Sequence, residues 1–232
     1  METLAGKTAF ITGGSTGIGL GMATTFARHD MNVVITDIRD DALTSAEQHL
    51  RQITERVLTL NVDSTDLDAL ASAAKAVERT FGPLHLLCNN AGVTGGAKVL
   101  DTPEERWRMT HEVNFWGPHN GIKVFLPGML EHGEDAHIVN TASFSGIHGH
   151  GHQSGYGTSK FALVGLSEFL RNDLADTNVG VSVLCPHVVD TPIIKALKTR
   201  VSENVAQMID AMAVAAETVG SQVVRAILAN EF

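Results

Sequence analysis

Two patterns of apolar positions alternate along the chain. Short β-branched runs at Thr8–Thr12, Asn32–Asp37, Arg56–Asn61, Leu84–Asn89, Ala136–Thr141 and Gly180–Cys185 read as strands. Between them, Ile18–His29, Ala42–Gln52, Leu67–Phe81, Pro103–Phe125, Gly155–Ala175 and Thr218–Leu228 read as helices. Regular strand–helix alternation predicts a parallel sheet, and right-handed crossovers place helices on both of its faces. The expected fold class is α/β: a Rossmann-type doubly wound parallel sheet in three α/β/α layers. Ligands in such sheets bind beyond the carboxyl ends of the strands. No repeat, low-complexity tract or Pro/Gly-rich linker divides the chain, so residues 1–232 are expected to form one domain. Within it, residues 192–217 are expected to form a small inserted pair of short helices over the substrate.

Composition narrows the partners. The chain has 232 residues and a formal net charge of −9, with no lysine or arginine cluster, which argues against nucleic acid and anionic membrane surfaces. No apolar run approaches the length of a membrane span, and Met1 to Lys7 lacks a basic region followed by an apolar one, so a cytoplasmic location is expected. The two cysteines, Cys88 and Cys185, end apolar runs and read as buried reduced thiols.

The first strand runs into Thr12-Gly13-Gly14-Ser15-Thr16-Gly17-Ile18-Gly19. Glycines let the backbone turn tightly and a pyrophosphate approach bare N–H groups, while a helix starting near Gly17 directs its positive end at the phosphates. The spacing is GxxxGxG rather than the commoner GxGxxG, and its place between strand and helix is that of a dinucleotide cradle. At the end of the second strand, Asp37 is positioned to accept hydrogen bonds from ribose hydroxyls, and its charge repels a 2′-phosphate, which favours NAD over NADP. Arg39 either reaches a 2′-phosphate, covers the adenine, or pairs with Asp40 or Asp41. Asp63, past the third strand beside Val62, either touches the adenine amino group or, like Ser64, caps a helix. After strand four, Asn89-Asn90-Ala91-Gly92 offers amides that tie neighbouring strands and touch the cofactor ribose. Asn114, inside the next helical pattern, marks either a task or a kink near Gly117-Pro118.

Chemistry concentrates between Ser143 and Lys160. Tyr156 and Lys160 stand four residues apart, so on a helix a phenol and an ammonium share one face. Such a pair is either a solvated surface contact or acid–base machinery, in which the ammonium lowers the phenol from its reference of roughly 10 towards neutrality. The loop between carries His148, His150 and His152 at alternate positions. No carboxylate or cysteine completes a site with them, and no metal is expected. Phe144, Ile147 and the stretch Val93-Thr94-Gly95-Gly96 belong to loops over the site, with few charges, which favours a neutral, partly hydrophobic alcohol or ketone.

Taken in order, Thr12 to Gly19, Asn89-Asn90-Ala91-Gly92, Asn114, Ser143 and Tyr156 with Lys160 resemble the single-domain short-chain dehydrogenases/reductases over nearly the whole chain. The resemblance implies an oxidoreductase that moves a hydride between a nicotinamide cofactor and a secondary alcohol or ketone. Tyr156 would be the proton donor or acceptor, Ser143 would bond the same substrate oxygen, and Lys160 would bind the nicotinamide ribose. Asn114 would hold a relay water. In the first loop, Gly13, Ser15, Thr16, Gly17, Ile18 and Gly19 would serve the cofactor, as would Asn90, Ala91 and Gly92. Pro186 and Thr191 match the segment after strand six, where Thr191 and Val189 would hold the carboxamide. The family's usual glycine there is His187, which either lines the substrate pocket or points away. Thr94, Phe144, His150 and His187 are the expected substrate-lining residues. The run from Phe115 to Gly146 resembles bacterial dehydrogenases acting on benzylic alcohols of aryl ethers, which adds an aryl group to the expected substrate.

Members normally continue the last helix into a seventh strand, whereas this sequence stops at Asn230-Glu231-Phe232, as a truncated chain or one lacking disordered residues would. The resemblance also implies a homodimer or homotetramer built on the helices containing Asn114 and Tyr156, with a dimer favoured without that strand. Two other functions deserve comparison. A silent dinucleotide-binding sensor would be expected to lose the tyrosine or the lysine. A nucleotide-sugar epimerase or dehydratase would need a larger carboxyl-terminal domain.

Overall fold

The computed structural model of the chain describes residues 1–199 and 201–232; Arg200, inside the expected insertion, lies outside the described residues. Six parallel strands form one sheet in the order β3-β2-β1-β4-β5-β6, with β1 Thr8–Thr12, β2 Asn32–Asp37, β3 Val57–Asn61, β4 Leu86–Asn89, β5 Ala136–Thr141 and β6 Val179–Leu184. The strand order runs outwards in both directions from the junction of β1 and β4, and a crevice opens there at the strands' carboxyl ends. The expected fold class is the one found.

Successive side chains of a strand point to opposite faces, and β1 shows how that builds three layers. Ala9 and Ile11 pack with α1 (Gly17–Arg28), α2 (Asp40–Arg51) and the last helix, α9 (Ala216–Ala229). Phe10, between them, packs with α3 (Leu67–Phe81), α5 (Gly117–Glu131) and α6 (Ser154–Asp173). Burying both faces of the sheet gives strands that read as unbroken apolar runs. Asp66 caps α3, accepting hydrogen bonds from the N–H groups of Asp68 and Ala69, so neither Asp63 nor Ser64 is the cap.

The helix expected over Pro103–Phe125 is three pieces: α4 (Glu104–His111), a π-helical turn over Glu112–Trp116, and α5, which runs on to Glu131. Pro118 explains the break. In a regular α-helix its N–H would bond the carbonyl of Asn114, four residues back, and proline has none to give. The chain widens instead, and the Gly117 N–H reaches Glu112 O.

After β6, Thr191 accepts the Ile194 N–H and starts α7 (Pro192–Lys198), followed by α8 (Glu203–Met212). A parallel bridge between Val189 and Val214 closes this excursion before α9. The last residues fold back on β6, where Ser182 Oγ donates to the Glu231 carbonyl. Among the described residues the sheet has six strands and no helix is long and apolar enough to cross a membrane.

Candidate active site

A cleft of about 450 Å³ opens beyond the carboxyl ends of the strands. At one end the chain leaves β1 through Gly13 (φ 60°) and Gly17 (φ 55°), left-handed conformations that side chains resist. Gly17 begins α1, and its cap residue Thr16 accepts a hydrogen bond from Arg39 Nη2 at 3.2 Å but none from the first turn, whose N–H groups are left without a side-chain cap. Gly13, Thr16, Gly17 and Ile18 line the cleft there. Thr12 Oγ1 accepts the N–H groups of Asn90 (2.9 Å) and Ala91 (3.0 Å), while Asn90 Nδ2 donates to the carbonyls of Thr12 and Gly13. The loop after β4 is thereby fastened to the loop after β1, and Asn90, Ala91 and Gly92 form part of the wall. Asn89 turns away and donates to Asn140 Oδ1 on β5 at 2.9 Å.

Two predicted cofactor residues do not line the cleft. Gly19 lies beneath the loop, where an added Cβ would sit 2.3 Å from the Gly13 carbonyl, so its smallness serves packing. Ser15 is buried with its hydroxyl donating to Asp37 Oδ2. Asp37 also corrects the reading of Arg39. The guanidinium pairs with neither Asp40 nor Asp41 but forks onto Asp37, with Nε 3.1 Å from Oδ1 and Nη2 3.1 Å from Oδ2. With the Arg39 N–H and Ser15, four donors occupy this carboxylate. Burial acts to raise Asp37, but the hydrogen bonds and charge of Arg39, with Ser15, outweigh it and hold the carboxyl below its usual value. Asp37, Arg39, Val62 and Asp63 line this end, together with Ile38, which sequence reasoning missed. Its signal was an exposed apolar residue, 64 % accessible, set between two charges just past a strand.

At the other end Ser143, Tyr156 and Lys160 meet. Ser143 follows β5, and its Oγ accepts the Ser145 N–H at 3.1 Å to start a single 3-10 turn over Phe144–Gly146. That turn lies so close to α6 that a Cβ on Gly146 would be 2.8 Å from the Lys160 carbonyl. Lys160 is buried, and its Nζ donates to the Thr141 carbonyl at 2.7 Å, 5.8 Å from the centre of the Tyr156 ring. Burial pushes the ammonium down to about 8. The expectation that this ammonium lowers the phenol is corrected: burial raises Tyr156, and the opposing hydrogen bond comes from Ser143. The reason is geometric, because Lys160 is spent on the end of β5 rather than on the phenol oxygen. Cys185 is half-buried beside this pair, its thiol raised by burial, and Cys88 is fully buried.

Asn114 is buried within the π-helical turn and does not line the cleft. Its Oδ1 accepts the Val93 N–H (2.9 Å), and its Nδ2 donates to the Val93 carbonyl and Ser159 Oγ (both 3.0 Å). A Cβ on Gly92 would fall 3.3 Å from Asn114 Oδ1 and 3.5 Å from Lys160 Nζ, so that glycine keeps a gap between them. Pro186, His187, Val189 and Thr191 line the cleft, as does Thr94. Phe144 does not; its ring backs His187, with centroids 4.9 Å apart, and also meets His148 at 5.4 Å. His150 lines a separate hollow of about 190 Å³ with Trp107 and Phe161. Ile193 and Ile194 were also missed, although a Thr-Pro start to a helix was the signal that its first turn faces the strand end.

A family model described as short chain dehydrogenase matches residues 7–202. The chain belongs to the short-chain dehydrogenase family. With membership comes oxidoreductase chemistry on small molecules with a nicotinamide cofactor. Among the family's members, the chain is similar to 1-deoxy-11-beta-hydroxypentalenate dehydrogenase of Streptomyces exfoliatus, 37 % identical over 193 residues, covering 82 % of this chain and 70 % of the relative. A short-chain dehydrogenase/reductase from Burkholderia phymatum, solved with NAD, superposes with a TM-score of 0.91 at 32 % identity, covering 100 % of this chain and 89 % of the other. An actinorhodin polyketide ketoreductase solved with NADPH gives a TM-score of 0.91 at 29 % identity, over 98 % and 92 % of the two chains.

Proposed function

We propose that this short-chain dehydrogenase transfers a hydride between NAD and a neutral, partly hydrophobic secondary alcohol or the corresponding ketone, with an aryl group among the substrate features it accepts. The observation that carries this reading is the pairing of the two ends of one cleft: Ser143, Tyr156 and Lys160 at one, a buried charged Asp37 and the uncapped start of α1 at the other. The residues fit a dinucleotide. Free N–H groups at a helix start suit a pyrophosphate, and a carboxylate suits a ribose diol while repelling a 2′-phosphate. NAD is favoured even with Arg39 present, because that guanidinium is committed to Asp37. Ribose hydroxyls would share the carboxylate with the guanidinium, whose half-exposed face would lie beside the adenine.

The nicotinamide supplies the hydride chemistry when bound. The chain's own groups hold the carbinol oxygen and move its proton. Tyr156 takes the proton in oxidation and returns it in reduction, and Ser143, bonding both phenol and substrate oxygen, lowers the cost of the phenolate. Lys160 anchors the nicotinamide ribose and passes protons towards solvent through the space beside Gly92, with an oxygen of Asn114 holding the connecting water, since both amide N–H bonds of Asn114 are engaged. Thr191 and Val189 hold the carboxamide. Thr94 and His187 line the substrate end; the latter, braced by Phe144, gives it an aromatic wall. Pro192, Ile193 and Ile194, the start of the expected insertion, line the cleft and would shape it for the substrate. Trp116, Phe161 and Phe169, on the π-helical turn and α6, are 47 %, 45 % and 73 % exposed, and this apolar face supports a homodimer.

The test follows NADH and NADPH absorbance separately with aryl and aliphatic secondary alcohols and ketones, alongside Tyr156→Phe. Turnover with NAD in the native protein, lost in Tyr156→Phe with NADH binding kept, is the expected result. Substantial turnover in the variant would remove Tyr156 from the centre. No turnover at all beside intact cofactor binding would favour a silent binding protein.

A further inference from the structure

Ser159 lies between Tyr156 and Lys160 in sequence yet faces away from the cleft, fully buried. Its hydroxyl donates to the Tyr156 carbonyl at 2.7 Å and accepts the Asn114 Nδ2–H at 3.0 Å. A serine bonding a carbonyl three residues back is ordinary in helices. The second bond is not, because Asn114 holds both the N–H and the carbonyl of Val93, a residue of the cleft wall. One directional chain of hydrogen bonds therefore runs from the wall, through the π-helical turn, to the backbone that carries the phenol. From the other side the Phe144–Gly146 turn, which starts at Ser143, rests against the Lys160 carbonyl.

We infer that Ser159 is a positioning residue for proton transfer: its hydroxyl sets the catalytic turn of α6 in register with the Val93 wall, and so sets the phenol against Ser143. This rests on the reading of Tyr156 as the proton-transfer group. Without the hydroxyl, a buried amide N–H of Asn114 is left unpaired, and the amide must turn to find a partner, releasing Val93 or the helix. The phenol then loses part of the bond from Ser143 that opposes burial, and its proton affinity rises. A loss of position therefore appears as a shift along the pH axis as well as a loss of rate.

The same helix supplies a control. Two turns on, Ser167 repeats the device away from the cleft: Asn140 Nδ2 donates to Ser167 Oγ at 2.9 Å, and that hydroxyl donates to the Leu163 carbonyl at 2.7 Å. Ser159→Ala, the isosteric and weakly bonding Ser159→Cys, Ser159→Thr and Ser167→Ala are compared in alcohol oxidation across pH, with NADH binding followed by fluorescence. Ser159→Ala and Ser159→Cys are expected to lower kcat by roughly tenfold or more, the size of one lost hydrogen bond to a buried group. The rising limb of kcat should move to higher pH, and NADH affinity should stay within about twofold. Ser159→Thr, which restores the hydroxyl, should restore rate and limb; Ser167→Ala should leave the limb where it is.

An unmoved limb in Ser159→Ala and Ser159→Cys overturns the inference. So does a Ser159→Thr as slow as Ser159→Ala, or a Ser167→Ala that moves the limb as far. Should Ser159→Ala fail to bind NADH, Ser159→Cys carries the comparison, since it keeps the volume. Tyr156→Phe separates the levels: turnover in that variant removes the underlying reading, whereas an inactive Tyr156→Phe beside unshifted Ser159 variants removes only the positioning role.

Discussion

At the scale of single residues, the cleft is set by what each polar group already spends before a ligand arrives. Asp37 shows this most fully, with two donors from the Arg39 guanidinium, one from the Arg39 backbone and one from Ser15 on the carboxylate. Asp37→Ala would free the guanidinium and remove the negative charge facing a 2′-phosphate. The expected outcome is a fall in kcat/KM for NAD of roughly tenfold or more and a smaller change, or a gain, for NADP, read from initial rates with each cofactor. Unchanged discrimination would show that the carboxylate does not choose the cofactor. Asp37 was legible in the sequence because a single acid at a strand end has one natural use in this sheet. The partner of Arg39 was not, since three nearby acids compete within its reach and only the folded turn brings Asp37 into the guanidinium's plane. The same limit explains Lys160. Spacing placed it beside Tyr156, but spacing carries no information about the Thr141 carbonyl, which comes from a strand and captures the ammonium.

At the scale of elements, the strands were legible almost to the residue, because parallel strands buried on both faces leave continuous apolar runs. The broken helix was legible only as the kink near Gly117-Pro118 that Asn114 could mark, not as a π-helical turn. Helical periodicity continues across Glu112–Trp116, and only the lost N–H of Pro118 registers the interruption that buries Asn114 in the site. Packing between helices was equally hidden. Gly220 on α9 lies against α1 so closely that a Cβ would be 2.4 Å from Thr25 Oγ1 and 2.6 Å from the Gly21 carbonyl. Neither backbone can yield without separating the helices that bury Met22, Phe26, Val223 and Ile227. Gly220→Ala is therefore expected to destabilise the fold by about 1–3 kcal/mol through overpacking, despite alanine's better helix propensity. Urea unfolding monitored by circular dichroism checks this, and a stabilised variant would show that the two helices part freely.

At the scale of the whole molecule, the catalytic end of the sheet is built to hold charge, while the interior beyond it is not. His137, on β5, is fully buried; its Nε2 is 2.8 Å from Ser182 Oγ, and its Nδ1 has no partner among the described residues. Burial pushes its pKa down to about 4, and burial also lowers His85, near the opposite end of the strands from the cleft. The linkage has one sign. Below about 6.5 an unfolded histidine binds a proton, and the folded protein declines it until about pH 4, so stability falls as pH drops through that window. For His137 the difference amounts to about 3 kcal/mol, enough to lower the melting temperature by roughly 6–12 °C in a chain of this size. Lys160 works at the other limit. Its folded pKa of about 8 lies below the unfolded value of 10.5, so between those pH values the unfolded chain binds more protons and the penalty of burying the ammonium is progressively relieved. Acid loss and alkaline relief can be told apart by scanning melting temperature against pH in native protein and in His137→Gln. The variant should show a shallower slope between pH 4 and 6.5 and an unaltered course above pH 8. An equal slope in both proteins would mean that the acid sensitivity comes from His85 and the carboxylates rather than from the buried imidazole of β5.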